Sequence, residues 1–256
     1  MSPHETNWLE TLRENELDFV LERYRSVLLG KELLEIGAGS GFQLRRLRQH
    51  CAYCVGVDVP GGMQRALGVD QVLLYDGVRL PFRDASFDVI YSSNVLEHVG
   101  DLSALLSDCR RVLRPGGCAI HILPTHWWKI WTTLTHWPSL PRRFYRRIRG
   151  PGTDGGKEGR KLLLNNEHSM RTTTQLVNVL FPPRHGELGN RISEFLHFRP
   201  SRWRREFWQA HWQVVDEYPV GIAYSGNSLL EGSMSIPARR KLALLFGSAC
   251  VSFVVK

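Results

Sequence analysis

The residues whose types and spacing most directly suggest chemistry are Glu35-Ile36-Gly37-Ala38-Gly39-Ser40-Gly41. They follow an apolar run, Leu33-Leu34 with Ile36, and precede a helix-like segment from Phe42 to His50. Strand, glycine turn and helix in that order bring backbone close to a bound nucleotide-like ligand, because glycines leave no Cβ in the way and accept tight φ/ψ. The same glycines also close ordinary strand-to-helix turns, so the loop is informative only with other motifs. The dinucleotide fingerprint would put its third glycine where Phe42 stands, whereas this loop reads G-x-G-x-G. An acid, Glu35, lies two residues before the first glycine. Both details point away from a nicotinamide dinucleotide.

Val55-Gly56-Val57-Asp58 reads as a second strand ending in a carboxylate about twenty residues beyond the turn, where an acid can accept hydrogen bonds from two ribose hydroxyls. Gln71 to Tyr75 gives a third strand ending at Asp76-Gly77, and Ser86 to Tyr91 a fourth. Asn94-Val95-Leu96-Glu97-His98-Val99, a helix, and Leu113-Arg114-Pro115-Gly116-Gly117 follow. This ordered set closely resembles the class I S-adenosylmethionine-dependent methyltransferases, particularly the branch that includes the ubiquinone and menaquinone pathway enzymes. The resemblance covers residues 31–124, under half of the chain. Its motifs are jointly specific for the cofactor and nearly silent about the acceptor.

The resemblance implies binding of S-adenosylmethionine and its product S-adenosylhomocysteine. Glu35, Gly37, Ala38, Gly39 and Gly41 would line the methionine and ribose side, and Asp58, followed by Val59, would hold the ribose hydroxyls. Asp76 and the backbone of Gly77 would face the adenine amino group, with Asn94 and Val95 bordering the amino-acid moiety. The lesser alternative for Asp76 is a solvated turn residue.

Methyl transfer from a sulfonium needs little covalent help: binding, in-line positioning and, for some acceptors, removal of a proton. The family places residues just after strand four near the transferred methyl, which makes His98 the candidate catalytic residue. Its ordinary pKa suits a general base at neutral pH for an oxygen acceptor. The alternative is a histidine that packs the following turn, and His126, His168 and His185 are rivals. A carbon acceptor, or an amine already deprotonated, requires no base. No metal site is expected, since no second cysteine pair follows Cys51-Ala52-Tyr53-Cys54 at ligand spacing. Five scattered cysteines fit reduced thiols.

Positioning these residues requires alternating strands and helices, hence parallel strands with right-handed crossovers. The expected fold is α/β, a Rossmann-like doubly wound seven-stranded sheet. In the family the last strand is antiparallel and inserted, giving the order 3-2-1-4-5-7-6. A single domain over 1–256 is expected, with a leading helix in 1–30, a cofactor-binding core in 31–124, an insertion or lid over the acceptor site in 125–200, and closing helix and strands in 201–256. Residues 6–29 read as one amphipathic helix, in which Trp8 or Tyr24 either touches the ligand or packs on the core. Asp101 caps the clearest helix, whose stripe is Leu102, Leu105, Leu106, Cys109 and Leu113. A capping box at Thr172-x-x-Gln175 predicts a short helix over 176–181, Ser201 to His211 another, Trp212 to Tyr218 a sixth strand, and Cys250 to Val255 the last.

At 256 residues the chain can bury one large core, and no stretch approaches eighteen uninterrupted apolar residues. The N-terminus does not read as a signal peptide, so a cytoplasmic enzyme is expected, with peripheral membrane contact as a further expectation. The net charge of +8 favours an anionic partner surface. That contact is expected through 125–149, where Trp127, Trp128, Trp131 and Trp137 precede Arg142, Arg143, Arg146, Arg147 and Arg149 with no acid among them. The expected acceptor is a small molecule, lipid-like, lipid-linked or glycosidic. An RNA or protein methyltransferase is a second reading, motivated by the basic balance, and a non-catalytic methyltransferase-like subunit a third. No RNA-binding module is visible, and Ser92-Ser93-Asn94-Val95 stands where base-amino methylases carry an Asn-Pro-Pro-Tyr-type tetrapeptide. An intact glycine turn with two acids counts against the third.

Overall fold

The computed structural model describes residues 3–60, 72–148, 182, 185, 193–225 and 234–256, with side chains considered outside 3–9 and 139–148. Seven strands form one sheet in the order β3-β2-β1-β4-β5-β7-β6. They are β1 (Glu32–Ile36), β2 (Tyr53–Asp58), β3 (Val72–Leu74), β4 (Phe87–Ser93), β5 (Leu113–Pro124), β6 (Val214–Pro219) and β7 (Cys250–Val255). Strands β1 to β5 pair in parallel, and β7 runs antiparallel to both neighbours, β5 and β6. The expected order and the reversed last strand both hold.

Why these segments become central strands follows from composition. Leu33, Leu34 and Ile36 in β1, Val89 to Tyr91 in β4 and Ala119 to Leu123 in β5 are all buried, as parallel strands covered on both faces require. Helix α4 (Leu102–Val112) presents Leu102, Leu105, Leu106, Cys109 and Val112 to that core. Burial of each leucine contributes about 1.5–3 kcal/mol. Asp101 caps α4, its Oδ1 accepting the Ala104 N–H at 2.9 Å. The stripe closes on Val112 because the helix stops there, and Leu113 already pairs with Phe87 at the start of β5.

The N-terminal helix is shorter than its sequence pattern. It runs as α1 (Pro3–Arg23), breaks at Tyr24, and resumes as the single turn α2 (Arg25–Leu28). Tyr24 is a packing residue: its hydroxyl donates to Asp216 at 2.9 Å and lies 2.7 Å from Ser252 Oγ, tying α1 to β6 and β7. The helix after the glycine loop, α3 (Phe42–Leu47), stops three residues short of the expected His50. All five cysteines are free thiols.

After β5 comes one long helix, α5 (His126–Ile148), then the short α6 (Glu194–His197), α7 (Pro200–Gln209) and α8 (Ile236–Phe246). Trp128 lies in the core, 6% exposed, so it cannot serve the interfacial role expected from sequence. The side chains of Arg142, Arg143, Arg146 and Arg147, all of Arg149, His168 and the predicted 176–181 helix lie outside the described residues. Helix α8 has no counterpart among the sequence expectations.

Candidate active site

The glycine loop joins β1 to α3 at the carboxyl end of the sheet, the edge where open α/β sheets bind ligands. Gly37 and Ala38 donate their N–H groups to Val57 O at 2.8 and 3.1 Å, which holds the loop over the end of β2. Gly37 has φ +74°, and a Cβ there would collide with Val95, so the loop passes directly under the residue that follows β4. At Gly39, φ +53°, a Cβ would meet only Asp58 Oδ2, 4.0 Å away, and otherwise open space.

Asp58 ends β2 and faces that space. Its Oδ2 accepts the Gly39 N–H at 2.6 Å and its Oδ1 the Val59 N–H at 2.7 Å. Each oxygen retains a lone pair for another donor. Behind it Glu35 is buried on β1, with Oε2 unpaired among the described residues. Burial, and then the charge of Asp58, push the Glu35 carboxyl up to about 8. The loop, Asp58 and Glu35 are therefore brought together as the sequence predicted.

Asp76 and Gly77 lie beyond β3, with Gly77 close against Val59. Asp76 is exposed, and its Oδ1 accepts the Arg79 and Val78 N–H groups at 3.0 and 2.9 Å, which hold its carboxyl below the usual range. This geometry fits the turn-residue alternative. Arg111 secures the next stretch, donating to Leu80 O, Phe82 O and Asp84.

Asn94 follows β4 with φ +54°. Its Nδ2 donates to Ser93 Oγ at 3.2 Å and, at 3.5 Å, to Glu16 Oε2 of α1. Glu16 is fully buried and also accepts from Arg13 at 2.6 Å and from the Tyr224 hydroxyl at 2.8 Å. This polar knot seats α1 over the end of β4. Sequence reasoning missed it: Glu16 and Arg13 look like the solvated face of an amphipathic helix, and Tyr224 is distant in the chain.

His98 closes a short 3-10 turn (Leu96–His98), with 42% of its side chain exposed. Its ring lies 4.8 Å from that of His185, which rests 4.4 Å from the ring of Trp128. Beneath them the Glu97 side chain is wholly buried, and neither carboxylate oxygen has a hydrogen-bond partner among the described residues. Its Oε1 lies 3.9 Å from His98 Nε2 and 4.0 Å from His185 Nε2. Burial pushes Glu97 up to about 7, and burial plus the charge of His98 push His185 down to about 4. One donor atom from each of the three falls within 4.8 Å of the others. This carboxylate–imidazole set could share a proton or, with closure of the side chains, hold a cation. His126 stands apart on the first turn of α5, beside Trp127. Of the rival histidines among the described residues, His126 and His185, His185 joins His98.

Residues 34–121 match the family described as a methyltransferase domain. The chain is 38% identical over 90 residues to a demethylmenaquinone methyltransferase of Corynebacterium urealyticum, covering 34% of this chain and 39% of that protein. It is 32% identical over 117 residues to a ubiquinone biosynthesis O-methyltransferase of Hahella chejuensis, covering 42% and 48%. The chain thus spans less than half the length of these curated relatives. A crystal structure of an S-adenosylmethionine-dependent methyltransferase from Mesorhizobium loti superimposes with a TM-score of 0.53 at 17% identity, over 93% of this chain and 99% of that one, and so shares the fold. The fold and the loop-and-carboxylate edge are like those of class I methyltransferases. The methyltransferase-domain match lies within residues 34–121, and over about that stretch the chain is similar to the S-adenosylmethionine-dependent quinone-biosynthesis enzymes.

Proposed function

We propose that the protein transfers a methyl group from S-adenosylmethionine to a small-molecule acceptor of apolar, lipid-like character. The observation that carries this reading is the space over Gly39, bounded by a buried Asp58 carboxylate with lone pairs to spare. When bound, S-adenosylmethionine supplies an already activated methyl group. The residues that would hold it are Glu35, Gly37, Ala38, Gly39, Gly41, Asp58, Val59, Gly77, Asn94 and Val95, with Asp76 at the adenine end. Asp58 accepts ribose hydroxyls while Gly39 and Val59 fix its orientation. Glu35, largely protonated near neutral pH when no ligand is present, gains charge beside a cationic ligand.

Acceptor chemistry falls to the other side of Val95. There His98 receives the proton of an acceptor hydroxyl, with the buried Glu97 favouring the imidazolium that forms. Trp128 and Phe198, 5.9 Å apart and both buried, pack against the His185 ring from the core side and set its position beside His98. The relatives named for demethylmenaquinone and ubiquinone biosynthesis support an acceptor of the proposed kind. Two measurements test the proposal: calorimetry with S-adenosylmethionine and S-adenosylhomocysteine, and transfer of labelled methyl groups into a small-molecule extract. Micromolar-range binding with label in an organic-soluble product is the expected result. Absence of binding to either ligand overturns it.

A further inference from the structure

Helices α5 and α8 meet at the same edge of the sheet. Thr125, just before α5, donates its N–H to Ala249 O and its hydroxyl to Ser248 O, at 2.8 and 2.5 Å. Gly247 lies so close to the Trp127 indole that no side chain fits between them. The Trp131 and Phe246 rings touch edge to face at 5.9 Å. The two helices are thereby fixed to one another beside the acceptor side, since Trp128, on another face of the same α5 turns, packs on His185.

Where they meet, apolar side chains face outward. Leu244 and Leu245 are 84% and 75% exposed, and Phe246 is half exposed. Leu134 (61%) and Trp137 (46%) continue the strip along α5 at three-residue steps from Trp131. An outward cluster of this size is uncommon on a surface that meets only water. Its charge is one-sided: neither His126–Ile148 nor Ile236–Phe246 contains an acid, and Arg240 and Lys241 stand exposed one turn before Leu244. Among the described residues no helix is long and apolar enough to cross a membrane, so contact with a bilayer would be peripheral. Aliphatic tips framed by cations suit the headgroup–acyl boundary of an anionic leaflet. Nucleic acid would instead be met by stacking rings, and the most exposed side chains of this ledge are leucines.

We infer that the ledge formed by α8 and the exposed strip of α5 docks the protein on anionic lipid, turning the acceptor side toward the bilayer. The docking surface thus includes a helix that the aromatic and basic 125–149 stretch alone does not reveal. The inference extends the proposed methyl transfer by giving an apolar acceptor a route from the membrane, but docking is measured without donor or acceptor.

The test is co-sedimentation with phosphatidylcholine vesicles with and without phosphatidylglycerol, at low and high salt. The wild type should sediment with phosphatidylglycerol vesicles at low salt and less so at high salt. The double variant L244E/L245E, altered only at exposed tips, should lower partitioning by at least about tenfold with an unchanged melting temperature. R240Q/K241Q should weaken binding at low salt only. The inference is overturned if the wild type stays in the supernatant at low salt, or if L244E/L245E partitions like the wild type. It is equally overturned if that variant instead turns a dimer into a monomer by light scattering, or loses a single-stranded RNA oligomer while keeping vesicles. Calorimetry of S-adenosylmethionine on the same samples reports on the methyl-transfer reading separately.

Discussion

Lys129 Nζ and Glu194 Oε2 form an ion pair of 2.5 Å in which neither side chain is appreciably exposed, binding α5 to α6. The other Glu194 oxygen accepts the backbone N–H of His185 at 2.6 Å. One buried carboxylate therefore fixes both a helix pair and the position of a histidine beside His98. Removing one partner takes the counter-ion of this pair from a buried charge, so Lys129→Met or Glu194→Gln should each destabilise the fold by about 3–5 kcal/mol. The double variant should recover much of that loss. Denaturant melts of the two singles and the double measure this; a double variant as unstable as the sum of the singles would contradict a specific pair.

Cofactor affinity should depend on Asp58. Asp58→Ala is expected to weaken S-adenosylmethionine binding by about 1.5–3 kcal/mol through lost charge-assisted hydrogen bonds. Gly39→Val should weaken it further, because a branched side chain would enter the open space and resist φ +53°. Calorimetry decides, and full-strength binding by either variant removes that residue from the site.

Glu97 makes stability depend on pH in a defined direction. Its folded-state pKa, about 7, is raised by burial above the ordinary carboxylate value, with Glu16 raising it further and Arg13 opposing. The native state therefore keeps a proton that the unfolded chain has released, and stability falls as pH rises from about 4.5 to 7. Glu97→Gln should melt higher than wild type at pH 8 by an amount worth about 1–3 kcal/mol, the difference shrinking toward pH 4. Parallel pH–melting curves for the two proteins would show that the carboxyl does not titrate in this window.

If His98 receives the acceptor proton, His98→Ala should leave donor binding nearly intact and slow turnover by roughly 10²–10⁴-fold. Its loss should also remove the acidic limb of the pH–rate profile. Equal turnover across that profile would relegate the residue to packing.

The glycine-loop edge of the sheet was legible because its determinants are local. A glycine turn, the acid closing β2 and the turn after β3 each declare themselves within a few residues. The reversed order of β7 and β6 came from family resemblance rather than from pattern, and the structure bears it out. The acceptor side was not legible, for two physical reasons. Pro138 and Pro141 interrupt the helical signal of α5, since each lacks an N–H, yet the helix spans both. The pairing of His185 with His98, and the burial of Glu16 and Glu97, depend on contacts between segments far apart in sequence. Nothing within either segment distinguishes these acids from solvated ones.

The placement of β7 between β5 and β6 also orders events on the ribosome. When β6 emerges, β7, its partner strand among the described residues, has not yet been made, and β5 presents an open edge. Both edges must wait for residues 250–255, and 125 residues (125–249) separate β5 from the strand that covers it. Such late, long-range closure slows folding and leaves unpaired backbone exposed to neighbouring chains. Substitutions in β7 should therefore show themselves first as lost soluble yield during synthesis, before any change in the activity of the molecules that complete the sheet.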